Sequence, residues 1–232
     1  MASASESGVT REASFKGDKK LPLKSPLAKA EKRLIDFLTP RFPRWIEGYH
    51  LTLTTVLWSA GLILFGHLAR GSLHWLWLAS LMLALQWFTD CFDGALGRYR
   101  DTGIPKWGYH MDHLLDFVFM CSALLGYALL FDGTSRLLFF VLIPIFGSFM
   151  VNSYLSFAAT SEFKITFLGT GPTELRLALI ALNTAIIVFG TTFVQKILPF
   201  AVPLAGILLI VVVFRTQKYI WRIDMEDKRR RQ

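Results

Sequence analysis

The sequence predicts an all-α integral membrane protein with six transmembrane helices and an N-terminal interfacial amphipathic helix. Hydrophobic residues make up 53% of the 232 residues, and 20 Phe and 7 Trp are among them. They cluster into long runs, each near the roughly 20 residues that a helix needs to cross a bilayer. The net charge of +8 comes from basic residues between and outside these runs. That distribution is typical of membrane orientation and not of nucleic-acid binding.

The apolar runs and the charged stretches divide the chain into four segments. These are a disordered basic tail at 1–27, an interfacial helix at 28–48, a six-span domain at 49–217 and a basic cytoplasmic tail at 218–232. In the second segment, Leu34, Phe37 and Leu38 form an apolar stripe beside basic residues, a pattern that favours a helix lying on an anionic leaflet. The spans are expected at about 50–69, 73–97, 108–131, 136–160, 172–191 and 197–217.

The distribution of Lys and Arg predicts the orientation of the spans. Ten of the 25 Lys and Arg residues precede residue 50, and seven follow residue 214. The loop after the second span carries three more, Arg98, Arg100 and Lys106, whereas the three loops on the opposite side carry one each. Cytoplasmic segments are enriched in Lys and Arg, so both termini are expected in the cytoplasm. In a bacterium, the membrane would be the inner membrane.

Four carboxylates interrupt the apolar runs around the loop between the second and third spans. Asp90 and Asp93 lie near the end of the second span, and Asp112 and Asp116 near the start of the third. Carboxylates at membrane depth are costly and usually functional. The i,i+3 and i,i+4 spacings place each pair on one face of its helix. Two antiparallel helices joined by a short loop are therefore expected to bring all four together.

Such a cluster is suited to binding divalent cations. Carboxylates that share a partly desolvated site repel one another, and two divalent ions balance four of them. Mg²⁺ and Mn²⁺ prefer oxygen ligands, and two ions about 4 Å apart can clamp both oxygens of a phosphoryl displacement. The competing interpretation is a transporter whose Asp cluster binds the transported cation. Transporters are often built from repeats, and the sequence shows none.

The stretch from Asp90 to Asp116 resembles the signature of the CDP-alcohol phosphotransferase (CDP-alcohol phosphatidyltransferase) family, D-x-x-D-G-x-x-A-R-x8-G-x3-D-x3-D. The four Asp, Gly94, Gly108 and Arg98 agree with it. There are two departures. Gly97 stands where the family usually has Ala, and nine residues, not eight, separate Arg98 from Gly108.

The resemblance implies a role for each matching residue. Asp90, Asp93 and Asp112 would hold the metal ions, and Asp116 would be the general base while also contacting a metal. Gly94 and Gly108 would line the cytidine nucleotide site, with Gly97 beside them. Packing between helices is the alternative role for Gly94 and Gly97. Arg98 would meet a phosphate or pair with one of the aspartates, whereas Arg100 and Lys106 are expected to be cytoplasmic anchors.

The resemblance also implies the reaction. A substituted phosphate group would pass from a CDP-linked substrate to an alcohol hydroxyl, with release of CMP, in phospholipid biosynthesis. The cofactor would be two Mg²⁺ or Mn²⁺ ions, and the protein would be a homodimer in contact with membrane lipid, with no nucleic-acid partner. The same signature serves CDP-diacylglycerol with a small alcohol and CDP-choline or CDP-ethanolamine with diacylglycerol.

A second polar group precedes the fifth span, in the sequence Gly171-Pro172-Thr173-Glu174-Leu175-Arg176. Proline in the first turn and an acidic residue near the N-terminus are ordinary features of a helix start. Related enzymes carry a similar GPTE stretch, which implies that Glu174 and Arg176 face the acceptor alcohol or its phosphate. The stretch therefore predicts either a helix cap or a group that binds the acceptor.

Overall fold

The computed structural model describes residues 26–160 and 172–232, and all of the regular structure in these ranges is helical. The predicted tail at 1–27 and the loop that contains Gly171 lie largely outside the described residues. The α-helices in chain order are α1 Pro26–Leu38, α2 Gly48–Leu68, α3 Leu76–Arg100, α4 Pro105–Leu130, α5 Gly133–Thr160, α6 Pro172–Phe189 and α7 Thr192–Arg230. Single 3-10 turns, Thr39–Arg41 and Leu73–Trp75, precede α2 and α3.

Five of these helices, α2, α4, α5, α6 and α7, are long and apolar enough to cross a membrane. Large apolar side chains on their outer faces support this, since Phe200 is 77% exposed and Phe214 is 66% exposed, as lipid-facing residues would be. The protein is therefore a multi-pass membrane protein. Helix α3 has 25 residues but carries Gln86, Asp90 and Asp93, which lower its hydropathy. The sixth span thus stays a prediction.

Helix α2 packs against both α3 and α4. Helix α5 packs against α4 and α7, and α6 packs against α3. Helices α2 and α4 approach each other closely, and a Cβ atom on Gly66 would lie 2.5 Å from the Cα atom of Gly126. Small residues allow helices in a membrane to approach this closely. A side chain at either glycine would push the two helices apart.

A buried polar network joins the three helices that carry the acidic and basic site residues. The Tyr127 hydroxyl of α4 donates to Asn183 Oδ1 of α6 at 2.7 Å. Asn183 Nδ2 in turn donates to Ser80 Oγ of α3 at 3.0 Å. Hydrogen bonds between polar side chains stabilise helix association where water is absent. The network therefore helps to fix α3, α4 and α6 relative to one another.

Two helix ends differ most from the sequence prediction. The helix expected over 28–48 ends at Leu38, because Pro40 and Pro43 follow and disfavour helical conformation in the residues before them. Phe42, which precedes Pro43, is extended. At the other end, α7 continues to Arg230, well past the expected end of the span at 217. The extra residues include Lys, Arg, Glu and Met, which have high helix propensity.

Candidate metal and substrate site

Three carboxylates meet between the second half of α3 and the first half of α4. Asp90, Asp112 and Asp116 each offer one oxygen atom, and these atoms all lie within 4.8 Å of one another. All three residues are partly buried. The convergence expected from the hairpin is therefore present for three of the four aspartates.

A tight turn brings the two helices together. Asp101 adopts the left-handed conformation, with φ of 56°, and ends α3. The backbone N–H of Thr102 then donates to the Gly97 carbonyl at 3.1 Å. A Cβ atom on Gly97 would lie 3.2 Å from the Cα atom of Gly103. Gly97 thus contacts the turn of the hairpin, which fits the packing role that was the alternative to substrate binding.

Asp93 contacts α2. Residues three apart on a helix are separated by about 60° around its axis, so Asp90 and Asp93 meet different neighbours. Thr52 Oγ1 of α2 donates to Asp93 Oδ2 at 2.7 Å. A Cβ atom on Gly48 would lie 2.4 Å from the Asp93 carbonyl oxygen, so only glycine lets α2 begin this close to α3. Within the described residues, Asp93 is not part of the 4.8 Å group.

Arg176 of α6 lies beside the carboxylates. Its Nη2 atom donates to Asp90 Oδ2 at 3.1 Å and lies 3.7 Å from Asp116 Oδ1. Only 10% of its side chain is exposed. A buried guanidinium is tolerated when it is paired in this way. Glu174 lies in the first turn of α6, where an acidic residue interacts favourably with the helix dipole.

Two residues that sequence reasoning did not select hold the aspartates in place. Gln86 is buried, and its Nε2 atom donates to Asp116 Oδ1 at 3.3 Å. A sequence signal for Gln86 existed, since it is an amide within an apolar run, about one helical turn before Asp90. Thr52 gave no such signal, because threonine is common in membrane helices.

The remaining predicted residues lie at the surface around the carboxylates. A Cβ atom on Gly94 would lie 3.0 Å from Arg98 Nη1, so the Arg98 side chain lies over this glycine. Arg98 also lines a groove of about 390 Å³ between α1 and α3. Among the described residues, and apart from the backbone of its own helix turn and its chain neighbours, no atom lies within 4 Å of a Cβ position on Gly108. Gly108 therefore leaves open space one turn before Asp112, where a ligand can approach the backbone.

The residues present fit a hard divalent cation. Three carboxylates and one arginine leave the site with an excess of negative charge, and all of the donor atoms of the group are oxygens. The Oε1 atom of buried Gln86 has no hydrogen-bond partner among the described residues, so an amide oxygen is also available beside Asp116. Mg²⁺ and Mn²⁺ bind such donor sets.

Together the helices and the site define a class of protein: a multi-pass membrane protein with an oxygen-rich acidic centre at the ends of its helices. The family model for CDP-alcohol phosphatidyltransferase matches residues 49–217, and the chain belongs to this family. Searches of curated proteins and of solved structures find no match. Membership implies an enzyme that transfers a phosphatidyl group from a CDP-alcohol to an alcohol acceptor at the membrane. It also implies use of a divalent metal.

Proposed function

We propose that the protein transfers a substituted phosphate group from a CDP-linked lipid precursor to an alcohol hydroxyl, releasing CMP, in phospholipid biosynthesis. The observation that carries this proposal is the group of three carboxylates whose oxygens lie within 4.8 Å, in a chain of this family. Arg176 beside them adds a cation that can also meet phosphate.

Asp90, Asp112 and Asp116 would hold the metal, and Asp93 would add a ligand from the α2 side. We propose two ions, Mg²⁺ or Mn²⁺, which when bound would neutralise the charge of the substrate diphosphate. Thr52 supports this role of Asp93, because its hydroxyl fixes one carboxylate oxygen at 2.7 Å and so orients the side chain. Hydrogen bonds of this kind commonly orient metal ligands.

Asp116 is proposed as the general base. It would accept the proton of the acceptor hydroxyl as the hydroxyl oxygen forms a bond to the phosphorus distal to cytidine. The P–O bond of the diphosphate then breaks, and CMP leaves with the electron pair. The amide of Gln86 orients the Asp116 carboxylate, and Arg176 Nη2 lies 3.7 Å from the same carboxylate.

The nucleotide and the acceptor would bind around this centre. The open surface at Gly108 and the neighbouring Gly94 suit the cytidine nucleotide, because glycine allows close approach to the backbone. Arg98 would meet a substrate phosphate from its position over Gly94. Glu174 and Arg176, at the start of α6, are proposed to face the acceptor.

The test is CMP release by purified protein in lipid nanodiscs. CDP-diacylglycerol is paired with a panel of small alcohols, and CDP-choline and CDP-ethanolamine with diacylglycerol. One pairing should release CMP, EDTA should abolish the release, and excess Mg²⁺ or Mn²⁺ should restore it. Full turnover in excess chelator would contradict the metal proposal. Cation uptake into proteoliposomes without CMP release from any pairing would favour the transporter interpretation.

We further propose six spans, with α1 at the cytoplasmic interface, both termini in the cytoplasm and a homodimeric assembly. The Lys and Arg distribution supports the orientation. Single cysteines at Ser7, Gln232 and Gly133, in a background without the native cysteines, should be labelled in two groups. Ser7 and Gln232 should react from the cytoplasm, and Gly133 from the other side. Labelling of Ser7 and Gln232 from opposite sides would exclude six spans, and cross-linking in membranes tests the dimer.

A further inference from the structure

Arg100, the last residue of α3, is turned inward against the irregular segment that joins α1 to α2. Its Nη2 atom donates to the carbonyl oxygens of Phe42 and Pro43, each at 2.9 Å. Its Nη1 atom donates to the carbonyl oxygens of Arg44, at 3.3 Å, and Ile46. Only 16% of the Arg100 side chain is exposed. A side chain so enclosed does more than anchor a loop at the membrane surface.

The chemistry of this contact explains why the residue is arginine. The linker, residues 42–47, has no helical hydrogen bonds of its own over most of its length, so its carbonyl groups need other donors. A guanidinium presents five N–H groups in a rigid planar fork and can serve several carbonyls at once. The ammonium group of lysine is compact and cannot span the same four acceptors.

The same arginine reaches the residue that starts α2. Glu47 Oε1 lies 3.8 Å from Arg100 Nη1, and Glu47 Oε2 accepts a hydrogen bond from Thr102 Oγ1 at 2.6 Å. Glu47 is also the N-cap of α2, where its side chain and that of His50 accept each other's backbone N–H groups. The first turn of α2 is thus attached to the end of α3 and to the turn that follows it.

That first turn of α2 is the part of the helix that contacts Asp93. Gly48 packs on the Asp93 carbonyl, and Thr52, one turn later, donates to the Asp93 carboxylate. A shift of the linker would move α2 along its axis or rotate it. Either movement would break the hydrogen bond between Thr52 and Asp93.

We propose that Arg100 is a positioning residue for the metal centre. By holding the linker it fixes the start of α2, and through Thr52 it fixes the orientation of the Asp93 carboxylate. This inference rests on the proposed function, because it takes Asp93 to be a metal ligand. It assigns to Arg100 a role that the signature motif does not include.

The test is a double-mutant cycle measured on Mn²⁺ affinity, by electron paramagnetic resonance of the purified protein in detergent. Arg100→Lys keeps the charge but loses the fork, and Thr52→Val removes the hydroxyl that orients Asp93. Each is expected to weaken Mn²⁺ binding by about tenfold, the lower end of the usual effect of removing a group that orients a ligand. The double variant should bind Mn²⁺ no more weakly than the more affected of the two single variants, since both substitutions act through Asp93.

Arg70→Lys is the matched control, because Arg70 pairs with an exposed carboxylate at the other end of the molecule. It should leave Mn²⁺ affinity unchanged. Unchanged Mn²⁺ affinity in Arg100→Lys, or additive effects in the double variant, would overturn the inference while leaving the proposed function intact. A wild-type protein that binds no Mn²⁺ would instead overturn the metal proposal itself.

A second variant keeps the inference testable if Arg100→Lys does not fold. Thr102→Val removes the hydrogen bond to Glu47, which also attaches the first turn of α2, and leaves the Arg100 contacts in place. Mn²⁺ binding should weaken by about threefold, as expected for the loss of one hydrogen bond of ordinary strength. Wild-type affinity in this variant would contradict the link between the first turn of α2 and Asp93, on which the inference depends.

Discussion

The two ends of the helix bundle carry charged clusters of opposite composition. At the loops that follow α2 and α4, a single carboxylate, Asp132, lies between two arginines, 3.1 Å from Arg70 and 2.6 Å from Arg136. At the other end, Arg176 is the arginine placed among the three carboxylates of the proposed metal site. The first cluster has an excess of positive charge, and the second has an excess of negative charge.

Burial differs as much as composition. The Asp132 side chain is 68% exposed, whereas that of Asp90 is 23% exposed. Water screens the first cluster, and exposed ion pairs of this kind contribute little. The second cluster has an uncompensated negative charge in a place where water screens it less. Such a charge destabilises the fold, so folding alone does not explain it. The acidic end therefore has the charge and the burial that suit a bound cation, whereas water screens the charges of the basic end.

Among substitutions that compare the acidic end with the basic end, Asp116→Asn should have the largest effect on turnover. This substitution keeps the size of the side chain but removes the proton acceptor, so kcat should fall by about two to four orders of magnitude. Binding of CMP in the presence of Mn²⁺ should survive, because the remaining aspartates can still hold metal. Turnover and CMP affinity, measured side by side at saturating metal, check both parts.

Near-normal turnover in Asp116→Asn would mean that another group accepts the proton. His113 would then be the better candidate, since Nδ1 donates to a backbone carbonyl oxygen and Nε2 is then the nitrogen that can accept a proton. The imidazole ring also lies close to Tyr109, whose carbonyl oxygen is 2.8 Å from Nδ1. Loss of both turnover and CMP binding would show instead that Asp116 acts mainly as a ligand.

A smaller effect of unusual sign is expected from Arg176→Gln. Removing the guanidinium raises the negative charge of the site by one, so Mn²⁺ should bind more tightly. Charges a few ångströms apart in a partly hydrated site interact strongly enough to change affinity by about tenfold. Turnover should fall, because Arg176 also meets the acceptor in the proposed function. Titration of Mn²⁺ against both proteins provides the measurement.

Arg136→Gln is the control at the other end, since Arg136 also pairs with a carboxylate. It should change neither Mn²⁺ affinity nor turnover. Weaker Mn²⁺ binding in Arg176→Gln would contradict the role of this arginine as a counter-charge. Its main contribution would then be to hold Asp90 in place.

The contrast between the two ends was only partly predictable from sequence. The spacing of Asp90, Asp112 and Asp116 predicted their convergence, because helical periodicity and a short loop leave few alternatives. The separate environment of Asp93 was not predictable, since it depends on where α2 crosses α3. That crossing is set by Gly48, which the motif does not include.

Arg176 illustrates the same limit over a longer range. Its place in a polar stretch at the start of a helix was visible in the sequence, but its partners, Asp90 and Asp116, are 86 and 60 residues away. Only the packing of α6 on α3 brings them together. The helices themselves were easier to predict, because long apolar runs specify them locally. Their ends were less so, as the shortened α1 and the extended α7 show.

The smallest effect is expected from Asp132→Asn, the counterpart of Asp116→Asn at the basic end. It removes the charge shared by Arg70 and Arg136, yet the carboxylate is exposed and surface ion pairs contribute about 0.2–1 kcal/mol each. Orientation in the membrane should also persist, because acidic residues contribute little to the positive-inside rule. We therefore expect turnover within about twofold of wild type and only a slight fall in the melting temperature.

Turnover, the detergent melting curve and labelling of Gly133→Cys in the Asp132→Asn background check these three expectations. Arg136 keeps other partners, since its Nε atom also donates to the carbonyl oxygens of Ala128, at 3.2 Å, and Phe131, at 2.9 Å. The loop should thus hold its shape without the ion pairs. If Asp132→Asn reduced turnover as far as Asp116→Asn does, the basic end would be coupled to catalysis. The assignment of function to the acidic end alone would then be wrong.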